Sequence, residues 1–126
     1  MYTLEDLSKD CYEIANEILP CHISSKITSS EISIIDDFSK SDSEGFRIRI
    51  VLQDDKIKIT HFYMYKERKG YGSAIMKKIF KYCKNNNISK IYVWAANKKA
   101  QNFFGNKFNF KIESQKDNQA NLYLSI

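Results

Sequence analysis

Gly70 and Gly72 stand one residue apart in the segment Arg68-Lys69-Gly70-Tyr71-Gly72-Ser73. A residue without a side chain lets backbone N–H groups come close to a phosphate. A helix that begins there adds the positive end of its dipole. Arg68 and Lys69 put cations beside the same point, and Tyr71 and Ser73 fall within the turn. A diphosphate suits such a turn. Two other phosphate patterns do not match: a dinucleotide fingerprint needs a third glycine where Ile75 stands, and a P-loop needs Gly-Lys followed by Ser or Thr. A glycine pair also makes a plain strand-to-helix turn, so the pair alone does not decide.

Proton chemistry is sparse. His61 and Tyr63, shortly before the glycines, are the candidates for a general base; both residue types also serve packing in strands, and no residue is assigned as catalytic from sequence. Tyr92 and Trp94 read as core or cleft wall. Cys11, Cys21 and Cys83 are odd in number, far apart and without metal-ligand spacing. Buried free thiols are expected, no metal is, and a reducing cytoplasmic setting follows.

The elements that position these residues change period along the chain. Thr3 and Asp6 resemble a capping box, after which Leu4, Leu7, Cys11, Ile14, Ala15 and Ile18 recur at helical spacing until Pro20. The serine-rich stretch from Cys21 to Ser30 reads as a loop. Glu31 to Phe38, Phe46 to Gln53 and Lys56 to Met64 read as strands of an antiparallel meander, with Asp54-Asp55 as a tight turn. Tyr71 to about Lys84 has a helical apolar face, ended by Asn85-Asn86-Asn87. Ile88 to Ala95 is a strand, and Asn97 caps a short helix to Phe104. Phe108 to Glu113 and Asn121 to Ser125 are the last strands. Strand, glycine turn, helix, strand makes one parallel crossover in an otherwise antiparallel sheet of about six strands, an α/β (α+β) arrangement.

The 126 residues suit a single domain with its own core, and 43% hydrophobic content excludes a disordered chain. No apolar run reaches the roughly 20 residues needed to cross a bilayer, and no leader is read at the start, so no membrane partner is expected. The net charge of +5 is a surplus carried mostly by lysine. A solvated surface, a patch for an anionic cofactor or substrate, and a nucleic-acid face all remain readings of it, nucleic acid being the least expected.

Taken together, the motifs resemble the GNAT superfamily of N-acetyltransferases. Glu67-Arg68-Lys69-Gly70-Tyr71-Gly72 is similar to its Arg/Gln-x-x-Gly-x-Gly/Ala coenzyme A loop, with Glu67 in the first place. Asn97-Lys98-Lys99-Ala100-Gln101-Asn102-Phe103-Phe104 resembles its second signature, and Asn109-Phe110 its closing Gly-Phe. The likeness covers roughly Lys56 to Ile112, with the elements in order. It implies an acyltransferase using acetyl-coenzyme A as co-substrate, with acetyl-pantetheine lying between Lys56–Met64 and Ile88–Ala95. Phe62 and Met64 would bind pantetheine through their backbone, Arg68 to Ser73 the diphosphate, and Asn97 and Phe104 the other wall. The acceptor would be an amine on a small molecule or a protein. Phe104 stands where the family's acidic tyrosine is found, and Lys56 and Lys58 where some members carry a base. A non-catalytic acyl-coenzyme A binding module and a basic nucleic-acid or partner-binding domain are the rival readings. Monomer and homodimer are equally open.

Overall fold

The computed structural model describes residues 1–18, 23–36, 47–63 and 70–126. Met64, Glu67, Arg68 and Lys69, together with Pro20, Cys21, Phe38 and Phe46, lie outside the described residues. In chain order the elements are α1 (Leu4–Ile18), β1 (Ile23–Ile27), β2 (Glu31–Asp36), β3 (Arg47–Gln53), β4 (Lys56–Tyr63), α2 (Tyr71–Asn85), β5 (Lys90–Ala96), α3 (Lys98–Phe108), β6 (Lys111–Lys116) and β7 (Gln119–Ser125).

The strands form one sheet of seven, ordered β1-β2-β3-β4-β5-β7-β6. Every neighbouring pair is antiparallel except β4 with β5, which the α2 crossover makes parallel. The expected sheet of about six strands is thus found with seven. The added strand, β1, lies in the stretch read as a loop. Only Ile23 of β1 is buried. An edge strand that hides a single side chain shows little hydrophobic period, and its pairing with β2 is what holds it.

Isoleucine supplies most of the sheet's contribution to the core. Ile32, Ile34, Ile48, Ile50, Ile57, Ile59 and Ile91 are wholly buried, all on one face. Their β-branched side chains lose little rotamer freedom on a pleated surface. The helices cover this face: α1 packs on α2, β1 and β2, and Phe80 of α2 meets Phe108 of α3 with ring centroids 5.5 Å apart. Leu7, Cys11 and Ala15 of α1 and Ile75, Met76 and Ile79 of α2 are fully buried against it. Among the described residues no helix covers the opposite face.

Helix α3 runs four residues beyond the expected end at Phe104, and β6 starts at Lys111 rather than Phe108. Phe108 is held in the helix by its rings' contacts with Phe80 and Phe103. Asn109 then ends α3 in the left-handed conformation, φ 61°, where its N–H donates to the Gly105 carbonyl. Asparagine tolerates that conformation better than most residues.

The start of α1 is the capping box read from sequence. The Thr3 N–H donates to Asp6 Oδ2 at 2.9 Å, and the Asp6 N–H donates to Thr3 Oγ1 at 3.1 Å. Donation from the Thr3 N–H, and after it from the Thr3 hydroxyl, holds the Asp6 carboxyl below the usual carboxylate range. Thr3→Ala should lower stability by about 1 kcal/mol, read as the urea midpoint. Asp6 contributes stability above its ordinary pKa and loses it as pH falls through its depressed folded value. Asp6→Asn should therefore be less stable at neutral pH, and the difference should close in acid, where the native carboxyl is also neutral.

Candidate active site

β4 and β5 run side by side only at their start. Their partners are Lys56 with Lys90, Ile57 with Ile91, Lys58 with Tyr92 and Ile59 with Val93, after which no residue of one pairs with the other. The cause is local. On β4, Thr60 is an extra residue against β3, since Ile59 faces Ile50 and His61 faces Arg49. On β5, Trp94 and Ala95 together face Asn121 of β7, between the Val93–Leu122 and Ala96–Ala120 partners. Each bulge bends its strand, and the two strands diverge from that level.

Ala95 pays for the bend with φ 54°, a conformation rare for residues with a Cβ. Its N–H is turned outward and donates to Asn121 Oδ1 at 2.9 Å. On β4, Thr60 Oγ1 accepts from Arg49 Nη1 at 3.3 Å and lies 3.2 Å from His61 Nδ1.

The opening between the strands is a cavity of about 420 Å³. Phe62, Gly72, Ala100, Phe103 and Phe104 line it on the helix side, and Thr60, His61, Tyr63 and Trp94 reach it from the uncovered side. It thus passes through the sheet. The rings on the helix side interlock: Phe62 stacks on Phe103 at 5.8 Å and meets Phe104 edge-on at 5.2 Å. Phe104 is wholly buried in this cluster and also touches Phe110. It supplies an apolar floor and no proton. Asn97 sits at the rim and caps α3, its Oδ1 accepting from the Ala100 N–H at 2.9 Å.

The two glycines do different work. Gly70 is exposed, has φ 78°, and a Cβ there would touch nothing within 4 Å. It begins α2 without a side-chain cap, and the first turn, Tyr71 to Ser73, holds no acid. Its amide groups keep the positive end of the dipole available to an anion. Gly72 is buried, and a Cβ there would come within 3.0 Å of Phe103 Cζ and 3.5 Å of Phe62. Its bare α-carbon is needed for aromatic packing, whatever else approaches the turn.

Tyr71 and Ser73 are half-buried beside Gly72. Lys107, which sequence reasoning passed over, arrives from the end of α3 and places Nζ 3.4 Å from Ser73 Oγ. A lysine that distant in sequence carries no local signal; only the packing of α3 beside α2 brings it there. Ala95 and Asn121 are further residues of the site that no motif singled out, while Trp94, read as core or cleft wall, and Phe103, within the second signature, both line the cavity. His61 and Tyr63 share a face of β4, ring centroids 6.2 Å apart, and both reach the cavity. Gly70, Tyr71, Gly72 and Ser73 gather at one end of α2, while Phe62, Asn97 and Phe104 gather around the cavity. Neither thiol of the described cysteines comes near: burial holds Cys11 and Cys83 neutral, each pushed up to about 12.

The model of the Acetyltransferase (GNAT) family matches residues 47–110. No curated protein sequence matches the chain significantly. Among solved structures, PaiA N-acetyltransferase from Thermoplasma acidophilum in complex with coenzyme A is similar at TM-score 0.53 and 17% identity, over 99% of this chain and 72% of that one. A GNAT family acetyltransferase from Elizabethkingia anophelis with acetyl-CoA bound gives 0.54 and 13%, over 78% of each chain. Tetrahymena GCN5 gives 0.52 and 15%, over 100% of this chain and 90% of that one. At these identities the likeness is one of fold.

The contact at Gly72 makes a prediction. Gly72→Val should cost about 1–3 kcal/mol through overpacking. Phe103→Leu, which removes the Cζ atom, should recover part of that loss, giving a coupling of at least about 0.5 kcal/mol in a double-mutant cycle by urea unfolding. Strictly additive effects would show that the ring yields freely.

Proposed function

Because the chain belongs to the GNAT acetyltransferase family, we propose that it moves an acetyl group from acetyl-coenzyme A to a primary amine by direct attack. The observation that carries this reading is the parting of β4 and β5 beyond Ile59 and Val93. The register of β4 with β5 ends at Ile59 and Val93 among the described residues, so a pantetheine arm can pair along the β4 edge beyond that level as an added strand. In this reading Phe62 and Met64 bind the pantetheine amides through their backbone, and an N–H of that edge polarises the thioester carbonyl. The diphosphate lies on the amides of Gly70 to Ser73, with Arg68, Lys69 and Lys107 adding charge. Phe104 and Asn97 form the opposite wall.

The neutral amine forms a bond to the acetyl carbon, and the tetrahedral oxyanion collapses with loss of the coenzyme A thiolate. The ammonium proton must leave beforehand, and the thiolate takes up a proton afterwards. His61 and Tyr63, reaching the cavity from the uncovered face, are the side chains we assign to the first task. No metal is invoked. The buried neutral thiols of Cys11 and Cys83 suit a reducing, cytoplasmic setting. The wholly buried Phe104 favours one second reading, an acyl-coenzyme A binder that does not turn over.

Acetyl-coenzyme A at a hundredfold excess over its Kd should stabilise the protein by about 2.7 kcal/mol, visible as a raised Tm. Absence of any shift at millimolar concentration would remove both readings. Thiol release with an amine panel separates enzyme from binder. His61→Ala should lower kcat/KM by about 10²-fold or more and change its pH–rate profile; an unchanged profile would remove His61 as the base.

A further inference from the structure

The uncovered face of the sheet is not a neutral surface. Residues alternating with the buried isoleucines point to it, and they include Lys26, Arg47, Lys56, Lys58 and Lys90. The row of cross-strand partners Lys58, Tyr92, Tyr123 and Lys111 carries it to the far edge. From β1 to β6 this spans roughly 30 Å, at about 4.8 Å per strand. Among the described residues, acids hardly offset the charge. Glu31 is bound by Arg49, with Nε to Oε1 at 2.6 Å and Nη2 to Oε2 at 3.2 Å. Glu113 stands at the bulge of the edge strand β6, and Asp54, Asp55 and Asp117 stand in the end turns or next to them.

The open mouth of the cavity lies within this face. Lys58 Nζ sits 3.8 Å from the centroid of the Trp94 ring, and Lys56 Nζ 6.0 Å from that of Tyr92. Trp94 lines the cavity and remains 44% exposed. The ring holds the Lys58 ammonium over the sheet at the mouth, where it keeps donors for an incoming anion.

We infer that the acceptor is an acidic peptide segment, its amine entering the cavity from the uncovered face and its carboxylates lying on the lysine-bearing strands, with Lys58 setting the preference. This rests on the acetyl-transfer reading of the same cavity. The width of the charged face favours an extended chain over a small molecule. A nucleic acid suits the charge and the aromatic rings but offers no alkyl amine, since the exocyclic amines of its bases are delocalised into the ring.

Trp94 is the chain's single tryptophan, so its fluorescence reports binding on this face without turnover. Peptides of equal length with one lysine would carry Asp/Glu, Ala or Arg flanks, and a single-stranded RNA would serve as a further arm. The acidic peptide should shift the emission saturably and bind more tightly than the Ala-flanked one, with an advantage that shrinks as salt rises. Lys58→Ala should weaken acidic-peptide binding by about fivefold, the upper end for one exposed charge pair. Lys58→Arg should retain it, and Lys58→Glu should reverse the order of acidic and basic peptides. Equal affinities for the three peptides, or tighter binding of RNA alone, would overturn the inference. Acetyl-coenzyme A binding, measured separately by calorimetry, tells the two readings apart: the peptide preference fails alone if coenzyme binds and the peptides do not discriminate.

Discussion

Two parallel strands that stop pairing halfway along their length govern this molecule. Leaving backbone N–H and C=O groups without partners inside a sheet costs free energy, so a gap of this kind must be imposed. Here each strand is bent by an irregularity on its outer side, Thr60 against β3 and Trp94–Ala95 against β7. The outer neighbours hold the strands while the inner edges separate. Asn121 takes the Ala95 N–H that the bend would otherwise orphan. The strain at Ala95 is therefore part of what keeps the cleft open, and the hairpin of β6 and β7 is a support for it.

The helices follow from the same geometry. α2 and α3 both start beyond the carboxyl ends of the parted strands, where open α/β sheets present their crevices. Their first turns meet the gap from one side only, because the helices among the described residues lie on one face. That side is closed, apolar and shaped by interlocked phenylalanines. The other is open and cationic. In the proposed reading, a cavity with such different ends would distinguish its two occupants by chemistry: an arm that threads past rings on one side, and a charged partner that lies flat on the other.

Periodicity revealed most of this fold, since long amphipathic elements such as α1 and α2 bury one face and advertise it. It failed where burial was slight or packing distant. β1 hides Ile23 alone, so its pattern is nearly blank. The extension of α3 to Phe108 depends on rings from α2, which no local propensity encodes. The glycine turn was legible as a motif, but the separate tasks of Gly70 and Gly72 were not, because Phe103 lies 31 residues from Gly72 in sequence. Asn109, read as a stand-in for glycine, fills that place physically by adopting φ 61°. Lys107 and Asn121 became visible only once strands and helices were assembled.

The buried phenylalanine at position 104 constrains the chemistry more than any residue present. A tyrosine there could protonate the leaving sulfur; Phe104, fully enclosed by Phe62, Phe103 and Phe110, neither donates nor admits a water to its ring. Yet a thiol ionises near pH 8.5, so its thiolate is a competent leaving group at neutral pH without an acid beside it. The cost of omitting general acid catalysis is then about 10²–10⁴ in rate rather than loss of the reaction. What direct transfer cannot omit is a deprotonated amine held at the carbonyl. In the proposed reaction the weight of catalysis would thus fall on the open side of the sheet, where His61 and Tyr63 line the cavity and Lys58 stands over Trp94. A cation at that mouth also lowers the pKa of an ammonium arriving there, because like charges disfavour the protonated form. The same lysine that selects an acidic chain would then help to unmask its amine.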